Sequence, residues 1–258
     1  MKILQELHQL LKELNLLPYQ ETITQFLRPA IYMNTKPNKH LPIGASKIGG
    51  NPDLPPHFQF PTYADGKQQT FLAQYRLADL TAFSTAQVLP PSGMLYFFHL
   101  EEPYDNHDRL LSWQSEWAAW SVIYWDGDES TLQPYHPESF IYPQAQIHFE
   151  LGWSGDIEAL IGKLFPRESD VDPINKLYEL EEQLALSNLT HQLLGSPIAQ
   201  QPWYQVENPE QKTLLLQLDS DRQIEMIWGD CGTVYFFISP EDLKKRDFTK
   251  IDYEYQWG

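Results

Sequence analysis

The sequence predicts an α+β fold, mainly antiparallel β, built from an internally duplicated unit in a pseudo-two-fold arrangement with flanking helices. Three observations carry this expectation. Short aromatic and β-branched runs punctuated by Pro and Gly dominate the chain after residue 46. The first 17 residues carry an apolar stripe of helical period. One strand is written almost twice, as GMLYFFH at 93–99 and GTVYFFI at 232–238.

Taken in order, Ile3, Leu4, Leu7, Leu10, Leu11, Leu14 and Leu17 recur at spacings of three and four, which predicts an amphipathic helix. A second helical stretch covers Glu21–Phe26. Pro29, Pro37 and Pro42 then read as breakers of any regular element until about Ser46. Strands are expected at Thr70–Tyr75, Met94–Leu100, Trp120–Trp125 and Gln144–Leu151. A helix capped at Asp172, with Pro173 in its first turn, carries Ile174, Leu177, Leu180, Leu184 and Leu186 and is closed by Gly195 and Pro197. Strands at Lys212–Leu218, Gln223–Trp228 and Thr233–Ser239 form a closing meander, with Asp and Gly turns between them.

The repeated strand is the last of three correspondences in the same order. Gly50-Asn51-Pro52 answers Gly195-Ser196-Pro197, and Phe71-Leu72-Ala73-Gln74-Tyr75 answers Leu214-Leu215-Leu216-Gln217-Leu218. Gly to Gln spans 24 residues in one half and 22 in the other, and Gln to Tyr spans 22 and 18. Differences of that size fall in loops. The expected organisation is a single domain over 1–258, with unit one at about 47–125, an insertion at 126–171, a helix at 172–194 and unit two at about 190–258. Two units are too few for a solenoid and are expected to share one core.

Composition narrows the function. Eighteen Lys+Arg against 35 Asp+Glu leave a formal charge of −17, which repels a phosphate backbone and argues against nucleic-acid binding. A single cysteine, Cys231, excludes an internal disulfide. The opening MKILQELHQLLKEL lacks an uninterrupted apolar core, and no apolar run nears 18 residues, so a cytoplasmic protein without membrane contact is expected.

Duplication supplies a sorting rule: features in both halves serve the fold, and an activity sits in what one half alone carries. Tyr96, Tyr235 and their Phe neighbours are core by this rule. Gln74 and Gln217 are read first as buried amides bonded to nearby backbone. Asp219, Asp221 and Trp228-Gly229-Asp230 belong to the second half alone and read first as turn residues.

The stretches SKIGGNPDLPPHF (46–58), TFLAQYRLADL (70–80), LPPSGMLYFF (89–98) and MIWGDCGTVYFFISPEDLKKRDFTKI (226–251) together resemble the YwqG-like family of bacterial proteins of unknown function. The resemblance runs from about residue 30 onward. It implies a mainly β, internally duplicated fold and no established activity. Where relatives repeat a Lys-x-Gly-Gly-like stretch before the second unit, this chain reads His191-Gln192-Leu193-Leu194-Gly195, so a site shared by Lys47 and a counterpart would be half present.

No catalytic constellation emerges. Cys231 has no His beside it in the sequence to activate it. The eight His residues show no paired ligand spacing, so no metal site and no cofactor are expected. Glu101–Asp108 and Asp126-Gly127-Asp128 read as solvated turns rather than a Ca²⁺ loop. Trp113, Trp117 and Trp120 read as packing residues, and Gly49-Gly50 lacks the context of a phosphate loop. The expected function is a non-enzymatic module that binds a basic protein, of the toxin-immunity kind, because charge complementarity speeds such association. The alternative is a small-molecule binder or hydrolase with a site between the units formed by Lys47, Gln74, Gln217, Asp219, Trp228 and Asp230, which requires these residues to converge on one pocket.

Overall fold

A computed structural model describes residues 2–63, 66–99, 120–166, 171–184, 191–203 and 206–256. Ten strands form one sheet in which every pairing is antiparallel. Its centre is β1 (Arg28–Pro37) paired along its whole length with β8 (Ala145–Ser154). Outward from β8 lie β2 (Lys47–Ile48), β4 (Thr70–Arg76), β5 (Met94–His99) and β6 (Trp120–Trp125). Outward from β1 lie β9 (Gln192–Leu193), β10 (Thr213–Asp219), β11 (Thr233–Ile238) and β12 (Ile251–Gln256). A separate ribbon pairs β3 (Asp53–Leu54) with β7 (Gln133–Pro134).

The sheet curls into a nearly closed barrel. Its two edge strands, β6 and β12, meet through side chains: the Trp120 ring stacks on Tyr253 at 4.8 Å, and Trp120 Nε1 donates to the Ile251 carbonyl at 3.1 Å. Inside, alternate residues of the two flanks face one another, including Leu95, Phe97, Leu218, Val234 and Phe236, all nearly solvent-free. Phe97 and Phe236 meet edge to face at 5.2 Å across the interior. A double-mutant cycle with Phe97→Leu and Phe236→Leu is expected to show a coupling of about 0.5–1.5 kcal/mol in urea unfolding. Strict additivity would mean that the two flanks do not support each other through this contact.

The outer faces are also covered. Tyr96, Phe98 and Phe71 pack under Leu54, Phe58 and Phe60, and Tyr235 and Phe237 pack under Val206 and Trp203. Strands buried on both faces lose strict alternation, which is why GMLYFFH and GTVYFFI read as continuous apolar runs. Beyond the end of the central pair, α1 (Lys2–Glu13), α2 (Gln20–Phe26), α3 (Ile157–Leu164) and α4 (Val171–Leu184) form a separate apolar cluster on Trp153. A short α5 (Pro240–Lys245) is capped by Ser239, whose Oγ accepts from Asp242 N.

Several expectations are corrected. The span holding Pro29 and Pro37 is not irregular; it is β1, the central strand. Both prolines sit at its ends, opposite Trp153 and Ala145, and leave the stretch between them free to make ladder bonds. Gln223–Trp228 is not a strand. Ile224, Met226 and Trp228 do alternate inward, but the backbone curls through a 3-10 turn at Arg222–Ile224 and a left-handed Glu225 (φ 54°), closed by reciprocal bonds between Asp221 and Met226.

The fourth helix starts at Val171, so Asp172 lies inside its first turn rather than capping it, and Gln192–Leu193 of the expected 172–194 helix is strand β9. The first helix stops at Glu13, short of Leu17. The 126–171 stretch supplies central β8 as well as α3. Strand β12 and helices α3 and α5 had no counterpart in the sequence reading. Glu101–Asp108, Trp113 and Trp117 lie outside the described residues.

Candidate functional site

The six residues expected to form a site do not converge: those on β2 and β4 are separated in the sheet from those on and after β10 by β8, β1 and β9. Lys47 stands opposite Gln74 on β2 and β4. The Lys47 Nζ lies 2.8 Å from Asp53 Oδ2, and both side chains are 4% exposed. The same oxygen accepts from Gln74 Nε2 (2.8 Å) and from Gly44 N (3.0 Å). Gln74 Oε1 accepts from Asp53 N, and Gln74 Nε2 also donates to the Ala45 carbonyl. Burial lowers the Lys47 pKa, while the hydrogen bond and the charge of Asp53 pull it back up. This is a sealed, internally satisfied ion pair that anchors the β3 ribbon on β4. Its groups are committed to one another and present nothing to a ligand.

In the second flank Gln217 is fully buried, and its Oε1 accepts from Ile198 N. Asp219 is half-buried and accepts through Oδ1 from Ser220 N and Thr233 Oγ1. Trp228 is 3% exposed, whereas Asp230 is exposed on the turn that follows it. The structure therefore groups Lys47 with Gln74, and Gln217 with Asp219 along β10, and leaves Asp230 on the surface.

A buried cluster beside this second group includes Asp221, which is 1% exposed. Thr35 Oγ1 donates to Asp221 Oδ2 at 2.6 Å, and His191 Nε2 stands 3.5 Å from the same oxygen. His191 Nδ1 accepts from Asp219 N, which leaves the ring proton on Nε2, facing the carboxylate. Burial opposes ionisation of Asp221, but the nearby His191 ring and the hydrogen bonds from Thr35 and Gln223 N outweigh it and hold the carboxyl at about 2. Such a carboxylate is a weak base, so the cluster fastens β1 to the turn after β10 rather than moving protons.

Two buried ring donors with unspent hydrogen bonds, on His99 and Trp228, meet in one aromatic cluster. His99 closes β5 and continues the inward alternation of Leu95 and Phe97; it is 8% exposed. Its ring meets Trp228 edge to face at 5.0 Å, and its Nδ1 lies 3.3 Å from the Tyr253 hydroxyl. Burial drives the His99 pKa down to about 3, so the ring is neutral. Tyr142 and Tyr255 pack on Trp228 at 6.0 and 6.3 Å. Among the described residues, neither His99 Nε2 nor Trp228 Nε1 has a hydrogen-bond partner. Next to Tyr142 and Trp228 in the chain, Phe140, Ile141 and Ile227 are 52%, 42% and 42% exposed. Glu138, Glu225 and Asp230, within three residues of them in the chain, are also exposed.

Sequence reasoning named Trp228 and Asp230 but missed His99, Tyr142 and Phe140. A signal for His99 existed: in the two near-identical strands it takes the place that Ile238 holds in the other, a feature one half has and its counterpart lacks. A separate apolar hollow of about 330 Å³ lies between the 3-10 turns at Leu77–Leu80 and Ser84–Val88, and none of the six expected residues lines it.

No group of three or more His, Cys, Asp or Glu among the described residues could hold a metal ion, and no helix among them is long and apolar enough to cross a membrane. The class these features define is a β-dominated α+β domain with a packed, nearly closed barrel. Residues 46–257 match the family described as Domain of unknown function (DUF1963), and the chain belongs to that family. No curated protein matches the chain.

Proposed function

We propose that the chain is a non-enzymatic, cytoplasmic binding module of YwqG-like type, built by internal duplication, that docks a basic protein on an acid-flanked apolar surface. Support for duplication is residue by residue. Gln74 and Gln217 both accept from a backbone N–H, of Asp53 and Ile198, and Tyr96 and Tyr235 both donate to the carbonyls of those same residues. Gly49-Gly50 and Leu194-Gly195 share positive φ (64°, 70° and 61°, 78°). A register shift recurs at Phe71/Ala73 and Leu214/Leu216. Ser46 and His191 each accept from the backbone N–H two residues beyond the Gln, and each faces an aspartate, Asp79 or Asp221.

The observation that carries the docking reading is the exposed trio Phe140, Ile141 and Ile227, flanked by Glu138, Glu225 and Asp230. Exposed apolar groups beside like charges suit a partner with an apolar centre and a basic rim, and toxin neutralisation is one role of that chemistry. The test is capture from host lysate by the tagged chain, run beside Glu225→Lys/Asp230→Lys and Phe140→Asp variants. One basic protein, held stoichiometrically at about 0.05 M salt, released near 0.5 M and lost with both variants, is the expected result. Retention that ignores salt and substitution, or no basic partner, refutes the reading.

A further inference from the structure

We infer that the aromatic cluster around Trp228 and His99 binds a small, neutral aromatic molecule through its carbonyl oxygen. This goes beyond protein docking and needs no partner chain. A phenol is the better donor and an imidazole nitrogen the better acceptor, so Tyr253 donates to His99 Nδ1 and the ring proton sits on Nε2. His99 Nε2–H and Trp228 Nε1–H are then two buried donors on rings that meet edge to face with centroids 5.0 Å apart, with no acceptor among the described residues. A buried donor left unpaired costs free energy that an incoming acceptor recovers.

The surroundings select the rest of the ligand. Trp228 is walled by Tyr142 and Tyr255, while Tyr253 lies beside His99 with Trp120 stacked against it. Aromatic walls favour a flat ligand that can meet their faces and edges. Neither donor carries charge, and a chain of net charge −17 repels anions, so a carbonyl suits the site better than a carboxylate. Phe140 packs on Tyr142 at 5.0 Å and is half exposed, which places an apolar approach next to the walls.

The test titrates the ¹⁵N-labelled chain with benzamide and, as a probe lacking an acceptor, ethylbenzene. The readout is the indole N–H signal of Trp228, assigned by its loss in Trp228→Phe or, should that variant not fold, by its cross-peaks to the His99 ring. Benzamide is expected to move this signal saturably at millimolar concentration and ethylbenzene to leave it in place. His99→Phe, which preserves ring packing, is expected to weaken benzamide at least tenfold. The inference is overturned by a signal that benzamide does not move, by equal responses to both probes, or by unchanged affinity in His99→Phe. It is likewise overturned if the indole N–H shows only a bound-water cross-peak that benzamide does not displace.

Discussion

Asp53→Ala, which leaves the Lys47 ammonium buried without its counter-ion, is expected to destabilise the fold by about 3–5 kcal/mol. The loss reads out as a lowered midpoint in urea unfolding. Asp53 collects three donors on one oxygen, from Lys47, Gln74 and Gly44, so its removal strands a charge and two neutral donors at once. In the other flank a buried glutamine is satisfied without charge, since Gln192 stands opposite Gln217 and Ile198 N donates to its Oε1. The double variant Lys47→Gln/Asp53→Ile is therefore expected to recover most of the loss, to within about 1.5 kcal/mol of the parent, because replacing both members of a buried pair costs far less than orphaning one. A double variant no more stable than Asp53→Ala would show that the ion pair holds the β3 ribbon in a way a neutral pair cannot.

Acidification is expected to weaken the fold in two successive windows. His99 has its pKa lowered from 6.5 to about 3 by burial. For a base held neutral in the folded state, the contribution is full above pH 6.5, where folded and unfolded forms are both uncharged. It is lost as pH falls from there toward 3, because the unfolded chain takes up the proton first. The loss across that window is on the order of 5 kcal/mol. Asp221 acts lower, since its carboxyl drops from 3.8 to about 2, and its contribution holds above 3.8 and disappears as pH falls toward 2. Urea midpoints taken between neutrality and about pH 4 should fall steadily in the parent and stay nearly flat in His99→Phe, with the two declining in parallel only below about pH 3. An equally steep early decline in the His99 variant would assign the acid sensitivity elsewhere.

What could be read in the sequence followed from how strongly each segment signals its own periodicity. Aromatic strands such as Met94–His99 and Thr233–Ile238 are buried on both faces, and their short length, aromatic content and leading Gly mark them as strands rather than buried helix. Strand β1 was invisible because its two prolines look like breakers, and only the pairing with β8 reveals that they mark its ends. Gln223–Trp228 misled in the opposite way: its alternation is real, but one left-handed residue and a 3-10 turn produce it without a ladder.

Gln74 and Gln217 stood out as polar groups inside apolar strands, and Lys47 as part of a Lys-x-Gly-Gly stretch; all three are buried in the structure. Only three-dimensional proximity to Asp53, Ala45 and Ile198 shows that their hydrogen bonds are made within the fold. His99 and Trp228 are 129 positions apart in the chain, so no local pattern could have joined them.

The order of strands in the sheet also constrains how the chain emerges from the ribosome. Both central strands and the whole β2, β4, β5, β6 flank precede residue 155, while β9 to β12 follow residue 191. A nascent chain therefore holds a half-built sheet whose Leu95 and Phe97 face has nothing opposite it until Val234 and Phe236 are made. That interval is when the protein is most prone to self-association, since unpaired strand edges and bare apolar faces are what aggregating intermediates share. Slowing translation after residue 191 lengthens this exposure, and a chaperone that engages the first flank shortens it.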